Sequence, residues 1–411
     1  MQKNDCETMK DSSLSMKVIE RAEKVLMNTY ARTPLVLDRG QGCQVWDKEG
    51  KAYLDFTAGI AVTALGHHHP RVLEALKVQS EKIFHTSNLY HIEPQVALAE
   101  LLTSHSFADK AFFCNSGTEA NEGAIKLARR FGTERFGPDR TTIICMKNSF
   151  HGRTLGSLSA TGQDKFKKGF GPLLPGFVFV PFDDLAALDQ AWDETVCAVF
   201  LEPIQGEGGI RVPARDYLKT VKQRCGERQA LLIIDEVQTG LGRTGSLFAH
   251  EQFGFTPDIM TLAKALANGL PIGALLATDE VARVFQPGAH AATFGGNHLV
   301  TAVARTVLSV ILEEGFLARV QKMGEYFKDR LIALKEEFPA ILEIRGLGLL
   351  LGLALDGPGK PLVQACLENG FLINCTQDTV LRFTPPLIID REAVDALVKT
   401  LGRLFKEMGK A

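Results

Sequence analysis

Lys264 lies in TLAKALANGLPIGA (residues 261–274), directly after the strand-like DIMTL and before a run of alanine, glycine and proline. Apolar surroundings disfavour an ammonium, so a lysine held there titrates low and becomes a nucleophile able to form a Schiff base with a carbonyl compound. A lysine snorkelling to water from a strand end fits the same letters, and the rest of the chain must decide. NSGTEANE (residues 115–122) follows the apolar AFFC and opens a helix. Such a turn presents free backbone N–H groups and the positive end of a helix dipole, so Ser116, Gly117 and Thr118 could cradle a phosphate. An ordinary cap at Ser116 or Thr118 fits this stretch equally well. Asp235 ends the otherwise apolar LLIID. It either caps a turn or provides a buried anion for a cationic ring nitrogen.

Other signals are weaker. Gly240, Gly242 and Gly245 spell GxGxxG, but DEVQT separates them from their strand and no clear helix follows. A dinucleotide site needs glycines that join strand directly to helix, which argues against a dehydrogenase. The three histidines of GHHHP (residues 66–70) lack the spacing of three or four that a helical metal pair needs, and no acidic or cysteine partners accompany them. A local turn role is expected there, and no metal site.

The elements that would position these residues alternate. AFFC, TIIC (142–145), AVFLE (198–202), LLIID and DIMTL read as strands, with helical patterns between several of them, notably 118–130 and 215–224. This predicts an α/β fold whose mostly parallel sheet is covered by helices, with ligands at the carboxyl ends of the strands. Residues 1 to about 15 read as a loose tail, 15–28 as a helix, and 36–56 as a small antiparallel unit with turns at GQG and KEG. Pro70 is suited to a helix start. Beyond about residue 300, amphipathic helices over 299–314 and 317–338, a strand-like LGLLLGLAL (347–355) and a final helix suggest a smaller α+β domain. The expected division is 1–65 packing with the small domain, 66–300 as the large domain, and 301–411 as the small one.

With 46 basic against 48 acidic residues and no basic block, neither nucleic acid nor an anionic membrane is an expected partner. The eight cysteines stand singly without CxxC spacing, as reduced buried thiols do, and apolar runs are too short to span a bilayer. A cytoplasmic enzyme is expected.

A reactive lysine, a phosphate turn and a strand-end aspartate together are what pyridoxal phosphate requires. At this point the sequence resembles the class III pyridoxal phosphate aminotransferases. FTAGIAVTALGHHHP, FHTSNLY, FCNSGTEANE, NSFHGRT, EPIQGEGG, IIDEVQTGLGRTG, TLAKALANGLPIGA, TFGGN and RFTPPL carry the likeness, in order, across residues 56–386. The resemblance implies the fold type I of pyridoxal phosphate-dependent transferases. It makes Lys264 the Schiff-base lysine and proton-moving base, and Asp235 the partner of the pyridine nitrogen. Phe150 would stack on the ring with Val237 and Gln238 beside it. Gly117 and Thr118, with Ser116 in the same turn, would hold the phosphate, and Thr293 would reach the phosphate of the neighbouring subunit in a homodimer.

Substrates with carboxylates suit planar arginine forks. Arg153 and Arg382 resemble the family's carboxylate arginines, and Glu207 the glutamate that covers Arg382 while a terminal amine reacts. Tyr30 of NTYARTP is a weaker candidate for approaching the substrate. The resemblance implies a ping-pong transfer of the terminal amino group of N2-acetylornithine to 2-oxoglutarate, in arginine biosynthesis. Ornithine, succinylornithine and 4-aminobutyrate are the alternative donors. A non-catalytic relative would be expected to lack Lys264 or Asp235, and both are present.

Overall fold

The structure is a computed structural model that describes residues 13–409. Cys6 and most of the expected tail lie outside that range. The central sheet has seven strands: β4 (Lys110–Cys114), β5 (Thr142–Met146), β6 (Phe177–Val180), β7 (Val196–Leu201), β8 (Leu231–Asp235), β9 (Ile259–Leu262) and β10 (Gly273–Ala277). They are ordered β4-β10-β9-β8-β7-β5-β6. The pairs β5–β6, β5–β7, β7–β8 and β8–β9 are parallel, while β10 runs antiparallel to both its neighbours.

Every residue of β7, β8, β9 and β10 is buried, as expected of strands covered on both faces. Alternate side chains enter different cores because the strand repeat is two residues. Ile143, Cys145, Phe200 and Ile233 pack with Ala124, Leu127 and Ala128 of the helix Gly117–Phe136. Ile144, Met146, Leu232 and Ile234 pack with Leu218, Val221 and Cys225 of the helix Tyr217–Glu227.

Two smaller sheets complete the fold. One contains β1 (Leu37–Gln41), β2 (Gln44–Asp47), β3 (Ala52–Asp55) and β13 (Phe371–Leu372). Its β3–β13 pair is parallel, so early and late parts of the chain share a sheet. The other contains β11 (Ile341–Leu347), β12 (Leu350–Leu355), β14 (Asn374–Thr376) and β15 (Val380–Phe383), all antiparallel. The helices Phe316–Glu337 and Arg391–Glu407 bury Phe327, Leu331, Leu397 and Phe405 in the same core as Leu351 and Phe383.

Two local readings change. LGLLLGLAL is not one continuous strand: it holds the end of β11 at Leu347, a turn at Gly348 (φ 54°) and then all of β12. GALLA (273–277), which starts on the last two residues of TLAKALANGLPIGA, is a strand that the run of small residues and Pro271 disguised. It lies against β4 because Gly273 has no side chain: a Cβ there would collide with the Ser116 carbonyl oxygen and come 2.8 Å from Cys114 Sγ. The helix Pro70–Ser80 begins on its proline as expected. Among the described residues, no helix is long and apolar enough to cross a membrane.

Candidate active site

The ends of β4, β5, β7, β8 and β9 converge on a cavity of about 390 Å³. Ser116, Gly117, Thr118, Phe150, Arg153, Asp235, Val237, Gln238 and Lys264 all line it. Parallel strands leave such a crevice at their carboxyl ends. Residues up to 210 positions apart, Val62 to Ile272, therefore meet in one place.

Lys264 follows β9 and adopts φ 40°, a left-handed conformation sparsely populated by side-chain-bearing residues. Asn268, four residues on, ties the segment down: its Oδ1 accepts from Leu65 N at 2.8 Å and its Nδ2 donates to Gly66 O at 3.0 Å. Lys264 Nζ forms no hydrogen bond or salt bridge with the described residues. Burial lowers its amine to about 8, against the opposing pull of Glu207 and, more weakly, Asp235 and Glu202.

At the helix Gly117–Phe136, Ser116 caps Glu119 N at 3.3 Å, and Glu119 reaches back to Asn115 N at 2.7 Å. The cap reading therefore holds, and among the described residues the N–H groups of Gly117 and Thr118 have no hydrogen-bond partner beside the cavity. Thr118 Oγ1 pairs with Thr154 Oγ1 at 2.8 Å. Gly117 is packed closely, since a Cβ there would lie 2.8 Å from Val237 Cγ1.

Asp235 is buried, and three donors surround it. Asn121 Nδ2 and His151 Nδ1 both lie 2.8 Å from its Oδ2, and Val237 N donates to Oδ1 at 3.0 Å. Asn121 is fixed in turn by Thr261 Oγ1 at 2.7 Å, and His151 stacks on Phe200 with ring centres 3.9 Å apart. The sequence reading missed Asn121 and His151, although both stand inside quoted motifs. Only the helical turn from Gly117 to Asn121 hinted at a shared face.

Glu202 was also missed. Its carboxyl accepts from Phe150 N and Gly206 N, each at 3.1 Å, and burial followed by the Asp235 charge pushes it up to about 8. Arg382 on β15 is 2% exposed and makes a short salt bridge with Glu207. Its Nε donates to Asn374 Oδ1 at 3.1 Å, and Gln238 Oε1 accepts from it at 3.3 Å. Burial raises the Glu207 carboxyl, but Arg382 outweighs that and holds it below its usual range. Arg153 is exposed at the cavity without an ion pair, its guanidinium 4.0 Å from the Phe166 ring centre and 5.6 Å from that of Phe150.

Two candidates lie elsewhere in the single chain. Thr293 lines a separate cavity of about 860 Å³ with Asn88, Gln95 and Phe113. Tyr30, 70% exposed, lines a groove against Val18 and Leu26 of the N-terminal segment. In the GxGxxG stretch, Gly242 and Gly245 take positive φ in consecutive turns rather than opening a helix, and Arg243 is fully buried. In GHHHP, His67 Nε2 lies 2.8 Å from Asp55 Oδ2.

The residues fit pyridoxal phosphate on the observations above: unpaired N–H groups for an anion, a low-titrating amine without a partner, and a braced carboxylate, all on one cavity. Comparison with known proteins agrees. Residues 26–405 match the family described as Aminotransferase class-III. The chain is 51% identical over 392 residues to an acetylornithine aminotransferase of Caldanaerobacter subterraneus subsp. tengcongensis, covering 95% of this chain and 100% of that one. It is 49% identical to an acetylornithine aminotransferase of Methanocaldococcus jannaschii, covering 95% and 98%. A crystallised ornithine aminotransferase of Toxoplasma gondii, described with partial occupancy of pyridoxal phosphate at its active site, superposes with a TM-score of 0.93 at 35% identity, covering 100% of each chain. The sequence motifs, the fold and the cavity converge, and the chain belongs to the class III aminotransferases, transaminases dependent on pyridoxal phosphate.

Proposed function

We propose that this enzyme moves the terminal amino group of N2-acetylornithine to 2-oxoglutarate, giving N-acetylglutamate 5-semialdehyde and glutamate, as a cytoplasmic step of arginine biosynthesis. The observation that carries the reading is the salt bridge between buried Arg382 and half-buried Glu207 beside Lys264. A donor reacting through a terminal amine has no carboxylate on its reacting carbon, so Arg382 is best kept neutralised. 2-Oxoglutarate has one there, and Glu207 must then turn aside. A buried arginine with a displaceable partner serves both half-reactions, and the relatives named above support the acetylated donor.

Pyridoxal phosphate, when bound, supplies a carbonyl carbon for the amine and a ring that accepts electrons from the breaking C–H bond. Lys264 holds the cofactor between turnovers and, once displaced, carries the proton from the donor carbon. Its lowered basicity keeps part of the amine neutral near pH 8. Asp235, braced by Asn121 and His151, holds a proton on the ring nitrogen by its fixed negative charge. Phe150 would stack on the ring with Val237 and Gln238 beside it, and the Gly117 and Thr118 amides would take the phosphate behind the Ser116 cap. Arg153 takes the substrate's distal carboxylate. In the homodimer we propose, Thr293 reaches the phosphate of the neighbouring subunit.

The test supplies purified enzyme with 2-oxoglutarate and compares glutamate formation from N2-acetylornithine, ornithine, succinylornithine and 4-aminobutyrate. N2-Acetylornithine should give the highest kcat/KM. A clear preference for 4-aminobutyrate would overturn the substrate assignment.

A further inference from the structure

Glu207 is held at two ends, and only one of them is the salt bridge. Its backbone carbonyl accepts a hydrogen bond from Thr376 Oγ1 at 2.7 Å and another from Gln377 Nε2 at 2.8 Å. Both donors sit at the tip of the β14–β15 hairpin, and the same hairpin carries Arg382 and its partner Asn374, paired across the strands. Gln377 and Asp378 make the turn in left-handed conformation, at φ 49° and 58°. Gln377 also meets Gln163 Oε1 at 3.2 Å, and Gln163 Nε2 is 3.2 Å from the carbonyls of both Asn148 and Ser149. On the other side of Glu207, Arg345 Nη1 donates to Gly209 O at 3.0 Å. One hairpin thus supplies the cation that Glu207 covers and the two donors that fix its backbone against that cation.

We infer that Thr376 and Gln377 are positioning residues that set how firmly Glu207 closes over Arg382, and so set the enzyme's discrimination between terminal-amine and α-amino dicarboxylate substrates. The inference rests on the proposed gate role of Glu207. With its carbonyl clamped to the hairpin, Glu207 opens by rotating its side chain alone, and the closed pair re-forms without a backbone search. Two lost bonds let the 206–209 loop drift from β15. The salt bridge then loses its geometry, Arg382 spends more time uncovered, and a dicarboxylate gains access relative to a donor that needs the gate shut. Neither side chain touches the reacting atoms. Their effect appears as a ratio between substrates rather than as a uniform loss.

Three variants of the full-length holoenzyme test this: Thr376→Val with Gln377→Leu, Thr376→Ser, and Glu207→Ala. Each is assayed for kcat/KM with N2-acetylornithine and with glutamate as donor, and melting temperature is followed in parallel. Glutarate, a dicarboxylate that cannot react, is titrated by calorimetry. The double variant should shift the glutamate to N2-acetylornithine ratio toward glutamate by about three- to tenfold, the scale of one or two neutral hydrogen bonds, and tighten glutarate binding. Thr376→Ser keeps the hydroxyl and should stay within about twofold of the parent. Glu207→Ala should shift the ratio in the same direction and further. If Glu207→Ala shifts the ratio and the double variant does not, the clamp is overturned and the gate stands. If Glu207→Ala leaves the ratio unchanged, the gate reading falls and the clamp with it. Equal losses on both donors with a lowered melting temperature and unchanged glutarate affinity would assign the two residues to folding alone.

Discussion

His151 Nδ1 lies 2.8 Å from Asp235 Oδ2, while Asn121 Nδ2 reaches the same oxygen at 2.8 Å. An ionised carboxylate only accepts, so both nitrogens donate to Asp235. His151 Nε2 is buried with no partner. The pair therefore braces an anion that remains available to a positively charged group in the cavity.

The first prediction follows from that brace. Asp235→Asn keeps the shape of the side chain and removes its charge. Turnover should fall by about 10²-fold or more, the scale of losing one preorganised electrostatic partner. The glutamate assay reads this out, and kcat within about threefold of the parent would show that the charge is not used.

Lys264 gives the second. Burial lowers its amine from an ordinary 10.5 to about 8, so the neutral nucleophilic fraction of the cofactor-free enzyme rises as pH climbs through about 8. The rate of cofactor capture, followed by rapid mixing and absorbance, should rise from pH 7 to 9 and level off. Lys264→Ala should show no such capture and no transamination. A capture rate still climbing steeply between pH 9 and 10 would mean that the amine is not lowered.

Glu202 gives a third, in stability. Its carboxyl rises from 4.5 to about 8 through burial and then the Asp235 charge. Between those values the folded enzyme binds a proton that the unfolded chain has released. The protonated carboxyl therefore stabilises the fold fully below pH 4.5, and that contribution is lost as pH rises through about 8. Glu202→Gln mimics the neutral form. The melting-temperature difference between parent and variant should therefore change between pH 5 and 8, with the parent losing ground as pH rises. Parallel curves would refute a raised Glu202.

Gly273 gives the last. A methyl group there would collide with the Ser116 carbonyl and press on Cys114 Sγ, at a turn that has no slack. Gly273→Ala should destabilise the enzyme by about 1–3 kcal/mol, as overpacking does, and should weaken cofactor binding by displacing the cap at Ser116. Denaturant melts and cofactor titration check the two effects separately.

Much of the architecture was legible because hydrophobic periodicity is local. Mostly apolar runs such as AVFLE and LLIID are suited to buried parallel strands, and they fall on β7 and β8. GALLA was missed because its antiparallel place between β4 and β9 depends on a close approach to Ser116 that no local pattern encodes. The turn inside LGLLLGLAL was missed for a related reason, since a lone glycine in an apolar run reads equally as strand or bend.

The sequence by itself determined which chemistry was on offer: an amine able to react, a helix start able to hold an anion, an acid at a strand end, and arginines for carboxylates. Residue types and motif spacing carry that information because chemistry resides in functional groups. Only the tertiary structure decided who stands beside whom. It put Asn121 and His151 on Asp235, Glu202 beneath Phe150, and Thr376 and Gln377 on the carbonyl of Glu207. Those partners come from elements 52 to 170 positions apart in the chain, and the fold alone brings them within hydrogen-bonding distance.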